Sequence, residues 1–336
     1  MTRTAIWLLS AGALLFIGVL VSQGLPAVFA TLTLAGWGIV LVGLFHLIPL
    51  LIDALAIRVL FRAPVARGAL RDAVLARWAG ESVNSLMPGG QLGGPVLMAR
   101  DLARRGMPMA EAAAAITVST TFQTFAQILF ALAGAALLGA RSGVLSEHAI
   151  AVPLLVSGGL LAVTVSGFYL VQRRGLYRGL TRTSARLFRK RDWSELLTQA
   201  EAIDQAVEQT HRRRGAVAAS FVLSLAGWVV GTVEVYLLLQ FLRSPVSWSD
   251  ALVLESLGQA IRGAAFAVPG ALGVQEGGYL LLGPLVGLTA DTALALSLAK
   301  RARELLLGVP GILYLQLGAR HWWRRRVLCA GAGAGD

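Results

Sequence analysis

The stretch that decides the fold is residues 215–242, GAVAASFVLSLAGWVVGTVEVYLLLQFL, in which Glu234 is the only charged side chain. A helix needs about 20 apolar residues to cross the hydrocarbon core of a bilayer, so this stretch predicts a transmembrane helix. The composition agrees with that prediction. Of the 336 residues 56% are hydrophobic and only 14% are charged, whereas a soluble domain carries about a quarter charged residues.

Other stretches of similar length and hydropathy predict an all-α integral membrane protein with about six transmembrane helices. The further predicted spans are Thr4–Ser22, Leu32–Ile52, Met109–Leu138, Ile150–Gln172 and Asp291–Leu317. The first of them is also compatible with a cleavable signal sequence, because Arg3 precedes it and Val28-Phe29-Ala30 follows it. Cleavage there would leave the rest of the topology unchanged.

The basic residues predict how the chain is oriented. The formal net charge of +12 would suggest nucleic acid in a polar protein, but in an apolar chain the placement of Lys and Arg sets membrane topology. With the N-terminus in the cytosol, 24 of the 30 basic residues lie on the cytosolic side, many of them in the loop 173–214. We therefore predict a multi-pass protein of the bacterial inner (plasma) membrane, with both termini cytosolic and no nucleic-acid partner. The loop itself predicts a solvated amphipathic helix.

Two glycine-rich turns interrupt segments that are too short to be separate spans. The first hairpin is predicted as Ala69–Met87, a turn, and Pro95–Arg105, and the second as Ser249–Val268, the turn Pro269–Gly278, and Tyr279–Val286. Broken backbone at membrane depth is tolerated only where protein or a wet cavity satisfies it, so we predict two re-entrant hairpins. Interfacial helices lying flat on the membrane are the alternative. The predicted turn residues are Pro88, Gly89 and Gly90 in the first hairpin and Pro269, Gly270 and Gly273 in the second.

The two hairpins occupy matching places in two halves of a single polytopic domain, 1–336. Repeat 1 covers approximately residues 32–140 and repeat 2 approximately residues 215–320, and a shift of 181 positions aligns Pro88-Gly89 with Pro269-Gly270. The first hairpin is predicted to enter from the cytosol and the second from outside. The sequence thus predicts an inverted-topology repeat, the arrangement of transporters whose sites lie near the midplane between discontinuous helices.

Ionisable residues inside the predicted spans are the candidate functional residues, since each costs roughly 2.5–3.5 kcal/mol at the helix centre. The middle of the last span carries three cations and only one carboxylate, so the remaining charge of about +2 there needs Glu residues on neighbouring helices or a ligand phosphate to balance it. A closed set of buried ion pairs that fixes helix register is the alternative to a ligand site. The predicted lipid headgroup-binding residues are Lys300, Arg301, Arg303 and Arg262, and the predicted polar network is Glu304, Glu255, Gln259, Glu276, Glu81 and Asn84.

Motifs of soluble enzyme chemistry are missing from the sequence. There is no Walker A loop, no H-E-x-x-H, no Cys/His metal spacing and no G-x-S-x-G elbow. We therefore predict no catalytic residues, no metal site and no cofactor. The four histidines, which are His46, His148, His211 and His321, are predicted to be incidental.

Two motifs resemble a known family. Glu81-Ser82-Val83-Asn84 through Pro88-Gly89-Gly90-Gln91-Leu92-Gly93-Gly94, with Arg100 following, resembles the lysylphosphatidylglycerol-synthase-type transmembrane family. The blocks 255–262, 268–278 and 293–306 are similar to the hopanoid-biosynthesis-associated membrane proteins of the HpnL type. The resemblance implies movement of lipid between leaflets. In the larger relatives a separate soluble domain performs aminoacyl transfer, so that activity is not carried over to this chain.

These observations predict a flippase-like protein that binds and translocates a membrane lipid, in hopanoid or related envelope lipid metabolism. Lipid-synthesis enzymes are its candidate protein partners. Two alternatives stay open from the sequence. One is an intramembrane lipid-modifying enzyme with Glu276 or Glu255 as general base, and the other is a non-transporting accessory subunit of a lipid-synthesis complex.

Overall fold

A computed structural model describes residues 33, 35–62, 69–87, 90–142, 159, 163, 166–172, 174–187, 194–265 and 268–332. Within these residues the regular structure is helical and contains no strand, which confirms the predicted all-α class. The predicted span Thr4–Ser22, most of Ile150–Gln172, and the turn residues Pro88 and Gly89 lie outside the described part.

The described helices follow the chain in an order that separates two halves by a pair of polar helices. The first half contains α1 (Gly38–Phe45), α2 (Leu47–Arg58), α3 (Ala69–Leu86), α4 (Gly90–Arg104) and α5 (Met109–Ser142). The polar helices are α6 (Leu176–Leu187) and α7 (Ser194–Arg212). The second half contains α8 (Arg214–Phe241), α9 (Trp248–Ala264), α10 (Val274–Leu282) and α11 (Ala290–Ala332), with 3-10 turns at Pro269–Ala271 and Gly283–Val286.

Within the described part of the chain, three helical segments are long and apolar enough to cross a membrane. They are Gly38–Arg58, Met109–Ala140 and Arg214–Phe241, which correspond to three of the six predicted spans. The predicted last span lies within α11, where Lys300, Arg301, Arg303 and Glu304 interrupt the apolar run. The chain is thus a helical multi-pass membrane protein, while the full count of six spans stays a prediction.

Both predicted hairpins consist of two helices packed against each other, α3 with α4 and α9 with α10. The returning helices begin earlier than predicted, at Gly90 instead of Pro95 and at Val274 instead of Tyr279. In the second hairpin the reason is a side-chain cap, because the Gly273 N–H donates to Glu276 Oε2 at 2.7 Å and so satisfies a free amide at the start of α10. Gly270 and Gly273 have positive φ angles of 60° and 77°, a conformation that glycine adopts without steric cost.

The two halves pack against each other in a reciprocal way. The first helix of each hairpin lies against the long helix of the other half, α3 against α11 and α9 against α5, while α2 packs against α8. A glycine lies at each of these helix–helix contacts. A Cβ added to Gly311 would lie 2.8 Å from Ser82 Cβ, and a Cβ added to Gly134 would lie 2.8 Å from Ser256 Cβ.

The loop 173–214 contains two helices that cover the end of α5. Asp204 of α7 caps the start of α6 by accepting from the backbone N–H groups of Tyr177 and Arg178 at 3.0 and 2.8 Å. The Tyr177 hydroxyl lies 2.6 Å from Thr117 Oγ1 of α5, and its burial raises the pKa of the phenol. The predicted amphipathic helix is therefore partly buried rather than fully solvated, with Val207 in the core.

Candidate functional site

A polar cavity of about 230 Å³ lies between the two halves. Both hairpins contribute to its wall, through α3 and α4 and through α9, together with α2, α5, α8 and α11. Its charged lining residues are His46, Asp53, Arg77, Glu81, Glu234, Glu255, Arg262 and Arg303. Its neutral polar lining residues are Asn84, Ser85, Thr120, Gln123, Thr124, Gln127 and Gln259. Charge of both signs thus meets at one place inside an otherwise apolar bundle.

His46, at the junction of α1 and α2, stands between two carboxylates from different helices. Its Nδ1 lies 2.5 Å from Glu234 Oε1 of α8, and its Nε2 lies 2.7 Å from Glu81 Oε1 of α3. Arg303 of α11 donates to Glu234 Oε2 at 2.8 Å and also contacts His46 Nδ1. We call His46, Glu81, Glu234 and Arg303 the histidine cluster.

A second charged pair continues this cluster along the cavity wall. Arg77 NH2 donates to Asp53 Oδ2 at 2.6 Å, and the same oxygen accepts from Gln123 Nε2 at 2.9 Å. Asp53 follows His46 by seven residues, and Arg77 precedes Glu81 by four, so each pair shares one face of its helix. Because of this spacing, the row of charged side chains extends from the histidine cluster to the side of the cavity that α5 forms.

Lys300 forms a buried pair with Glu255. The two side chains are 2% and 5% exposed, and Lys300 Nζ donates to Glu255 Oε2. The other Glu255 oxygen accepts from Gln259 Nε2 at 2.8 Å, four residues along α9. Lys300 Nζ also lies 5.8 Å from the centre of the Tyr279 ring. Glu255 and Gln259 line the cavity, whereas Lys300 is held behind them.

Arg301 fastens the turn of the second hairpin to α11. Its NH1 donates to the Gly270 carbonyl, its NH2 donates to the Ala271 carbonyl at 3.1 Å, and its Nε donates to Glu276 Oε1 at 3.0 Å. Glu276 is fully buried and caps Gly273 with its other oxygen. We call Arg301, Glu276 and the backbone of Gly270, Ala271 and Gly273 the turn cluster.

Glu304 joins the turn cluster to the cavity wall. Its Oε2 accepts from Arg301 NH1 at 3.1 Å, and its Oε1 accepts from Arg262 NH1. Arg262 also donates to Gln275 Oε1 at 3.0 Å and lines the cavity. The end of α9, the start of α10 and α11 are thereby joined by one run of charged hydrogen bonds.

The structure brings the predicted site residues into one region of the molecule, but only some of them line the cavity. Those that line the cavity are Arg262, Arg303, Glu255, Gln259, Glu81 and Asn84, whereas Lys300, Arg301 and Glu276 lie outside its lining. Glu304 lines only a smaller recess beside it. Of the predicted turn residues, Gly270 and Gly273 lie in the turn of the second hairpin, and Gly90 is the first residue of α4.

The cationic excess expected on the last span is compensated by carboxylates of neighbouring helices. Among the described residues, six buried or half-buried acids can each be assigned a different basic partner, although three of them, Glu81, Glu234 and Glu304, also contact further basic groups. The pairs are Asp53–Arg77, Glu81–His46, Glu234–Arg303, Glu255–Lys300, Glu276–Arg301 and Glu304–Arg262. Of the two ways to balance that excess, the structure shows the one that uses Glu residues.

His46 is the main residue that sequence reasoning missed, and the prediction that it is incidental is wrong. Asp53 and Arg77 were missed as well. The signal was present in the spacing, because His46 and Asp53 stand seven apart in a span whose other residues are apolar or small up to Arg58. Two polar residues on one face of a membrane helix indicate a polar neighbour, although the neighbour is identified only by the fold.

Three buried polar atoms of cavity-lining residues have no hydrogen-bond partner among the residues that the structure describes. They are Arg77 Nε, Arg303 Nε and Asn84 Oδ1. Buried polar groups in native structures are almost always paired with protein or ordered solvent, so these three atoms depart from the usual pattern. No group of three or more His, Cys, Asp or Glu side chains is placed to hold a metal ion in the part of the chain that is described.

Comparison with known proteins gives a family for this architecture. The family described as the lysylphosphatidylglycerol synthase TM region matches residues 6–311, a range that includes both hairpins, the cavity and the charged part of α11. No curated protein matches the chain, and no solved structure does. The match covers most of the 336 residues, and the chain therefore belongs to the lysylphosphatidylglycerol synthase transmembrane family, whose members are membrane proteins related to lipid synthesis and flipping.

Proposed function

We propose that this protein is flippase-like, that it binds a membrane lipid by its head group in the central cavity, and that it moves the lipid between leaflets. The observation that carries the proposal is the pair of unpartnered guanidinium nitrogens, Arg77 Nε and Arg303 Nε, on residues that line the cavity. A guanidinium presents its N–H donors in a planar fork that matches phosphate oxygens. A phosphate-bearing head group that entered between these side chains would satisfy two buried donors for which the described residues supply no partner.

We propose that only some of the predicted head-group-binding residues contact the lipid head group directly. Arg303 and Arg262 line the cavity, and Arg77 joins them. We propose that Lys300 and Arg301 act behind the wall, because each is bound to a buried carboxylate. In this arrangement they hold Glu255 and Glu276 in place and keep the interior neutral, while the cavity-facing arginines contact the lipid.

The reciprocal packing supports an inverted repeat as the basis of movement. The Ser82–Gly311 and Ser256–Gly134 contacts match each other, and each serine follows a cavity-lining glutamate, Glu81 or Glu255. The offset between these Glu-Ser pairs is 174 positions and that between the Pro-Gly turns is 181, a difference of seven residues, or two helical turns. Two such halves can exchange roles, so we propose re-entrant hairpins that rock about the turns to expose the cavity to alternate sides.

The cellular setting is proposed from the sequence. The placement of 24 of 30 basic residues on one side supports an inner-membrane protein with cytosolic termini. The blocks 255–262, 268–278 and 293–306 support the hopanoid-associated branch of the family and a role in hopanoid or related envelope lipid metabolism, with lipid-synthesis enzymes as partners.

Binding and movement fit the carboxylates better than intramembrane chemistry does. A general base needs a carboxylate oxygen that can reach substrate. Glu276 is fully buried with its oxygens on Arg301 and Gly273, and Glu255 holds Lys300 and Gln259. Every carboxylate oxygen of the two glutamates already accepts a hydrogen bond, and Glu276 lies outside the cavity lining, which supports binding over base catalysis at these positions.

The proposal is tested with purified protein in liposomes that contain trace fluorescent phosphatidylglycerol, by following how fast an impermeant quencher reaches inner-leaflet label. We expect the wild-type protein to accelerate exchange. We expect Arg303→Lys to slow it about tenfold or more, because lysine keeps the charge beside Glu234 but loses the Nε donor, and a hydrogen bond to a charged group contributes about 1.5–3 kcal/mol.

The matched control is Arg212→Lys, an exposed arginine of α7 paired with Glu208, which should exchange lipid at the wild-type rate. Wild-type protein that does not accelerate exchange would overturn the proposal. So would folded Arg303→Lys and Arg77→Lys proteins that both work at the wild-type rate.

A further inference from the structure

The contacts of His46 require one proton more than a neutral ring can supply. A neutral imidazole has one N–H donor and one lone pair, and an ionised carboxylate only accepts. Both ring nitrogens face carboxylate oxygens, at 2.5 Å to Glu234 and 2.7 Å to Glu81. Each of these two nitrogen–oxygen contacts needs its own proton, since a lone pair on nitrogen would otherwise face a lone pair on oxygen. Taken by themselves, these three groups therefore hold an additional proton.

Arg303 leaves one alternative to this count. Its guanidinium contacts His46 Nδ1 as well as Glu234, and it stays protonated in a protein. If Arg303 donates to Nδ1, it uses the single lone pair of that nitrogen, and the ring is neutral with its proton on Nε2 toward Glu81. If Nδ1 instead carries a proton toward Glu234, the ring is an imidazolium and holds one proton more.

The charge balance of the interior gives an independent reason for the same proton. The six acids of the paired set face five groups with a permanent positive charge, and His46 is the sixth partner. Without the proton one buried carboxylate would stand uncompensated, which is costly. The charged groups that surround His46 are Glu81 and Arg77 of α3, Glu234 of α8, Arg303 and Glu304 of α11, and Asp53 of α2.

We propose that this proton is the coupling ion of lipid movement, with His46 as its carrier, an inference that rests on the proposed function. His46 and Glu81 both line the cavity, and their side chains are 12% and 26% exposed, so water in the cavity can reach them. Release breaks a ring N–H bond, the electron pair stays on the nitrogen, and the proton passes to water. Uptake from the other side of the membrane reverses the step.

The direction of coupling follows from competition for Arg303. A phosphate that binds the donors of Arg303 weakens the pairing of this guanidinium with Glu234, and a buried carboxylate that loses part of its cation's attraction binds a proton more tightly. By linkage, a bound proton strengthens phosphate binding by the same factor. Lipid and proton therefore move in the same direction, and a pH gradient drives anionic lipid from the acidic to the alkaline side.

The test uses liposomes with trace fluorescent phosphatidylglycerol and an entrapped pH dye, with and without an imposed gradient of one pH unit. We expect proton movement to accompany lipid movement. For one-to-one coupling we expect the steady-state leaflet ratio of the labelled lipid to shift about tenfold toward the alkaline side, since one pH unit corresponds to about 1.4 kcal/mol. Glu208→Gln, an exposed carboxylate of α7, should respond like wild type.

His46→Arg supplies a permanent charge that cannot be released. It should keep the interior neutral but abolish both proton movement and the gradient response, and His46→Gln should also abolish them if the arginine variant does not fold. Lipid exchange in wild type that ignores the gradient and moves no protons would overturn the coupling and leave the proposed function intact. Absence of lipid exchange in wild type would overturn both. A gradient response that survives in a folded His46 variant would overturn the assignment to His46.

Discussion

Arg301 and Arg303 stand two residues apart on α11, yet their guanidinium groups have different surroundings. The Arg301 guanidinium donates hydrogen bonds to Glu276, to Glu304 and to the carbonyls of the second turn. Arg303 lines the cavity, and among the described residues its Nε has no partner. Because successive residues of a helix are about 100° apart, an offset of two residues turns one arginine toward the hairpin and the other toward the histidine cluster.

This difference shows that burial of a charge does not by itself mark a binding site. The turn cluster is closed, since its donors and acceptors satisfy one another and the backbone of the second turn. The histidine cluster is open, since His46, Glu81, Glu234 and Arg303 all line the cavity. The closed set fixes the backbone break of the second hairpin, and the open set lies where partners could be exchanged with a ligand.

The largest effect should come from breaking the closed set. Arg301→Met leaves the fully buried Glu276 carboxylate and two turn carbonyls without their donor. Removing one partner of a buried pair typically lowers the free energy of unfolding by about 3–5 kcal/mol. Thermal unfolding in detergent measures this, with Glu208→Gln, which removes an exposed pair, as the control that should change by less than about 1 kcal/mol. An Arg301→Met protein as stable as the control would contradict a structural role for the turn cluster.

The Lys300–Glu255 pair tests whether a charge behind the wall is needed at all. Lys300→Met should lower the free energy of unfolding by about 3 kcal/mol, because Glu255 is then buried alone. The double change Lys300→Met with Glu255→Leu should recover stability to within about 1 kcal/mol of wild type, since apolar replacements of a buried pair are often neutral. A double variant no more stable than the single one would show that the pair has partners beyond each other.

The matching glycines test the two-fold correspondence of the halves. Gly311→Ala pushes a methyl group against Ser82, and Gly134→Ala pushes one against Ser256. Overpacking of this kind costs about 1–3 kcal/mol, and we expect the two losses to be similar. Ser82→Gly should restore the first and Ser256→Gly the second. Gly215→Ala, where an added Cβ meets nothing within 4 Å, is the control. Clearly unequal losses would break the correspondence.

Much of the fold was predictable because the bilayer imposes strong rules. Residues 215–242 predict α8 within one residue at each end, and Met109–Leu138 predicts most of α5. The turn at Pro269 was found from its proline and glycines, but its end was placed too late. The early start of α10 depends on Glu276 reaching back to Gly273, a contact that hydropathy does not report.

The sequence predicted many of the residues of the candidate site, but it did not predict which of them line the cavity and which lie behind its wall. Charge at positions 300–304 of a membrane helix already indicated Lys300, Arg301 and Arg303. Which of these faces the cavity depends on the neighbours of α11, and those neighbours come from residues far apart in the chain. His46 shows this most clearly, because its partners Glu81 and Glu234 lie 35 and 188 positions away.

The smallest expected effect compares the two arginines directly. Arg301→Lys keeps the charge beside Glu276 but cannot reach both turn carbonyls, so we expect the free energy of unfolding to fall by about 1 kcal/mol, the net value of a hydrogen bond. Arg303→Lys keeps one cationic donor for Glu234 and gives up an Nε that has no partner among the described residues, so we expect its free energy of unfolding to fall by no more than about 0.5 kcal/mol.

Lipid exchange should show the opposite order, with Arg303→Lys slowed and Arg301→Lys close to wild type, because only Arg303 lines the cavity. Parallel thermal unfolding and liposome exchange on the two proteins measure both properties. If both variants lost stability and exchange in equal proportion, the closed and open sets would be one cooperative unit, and the distinction between a charge that holds the turn and a charge that contacts lipid would fail.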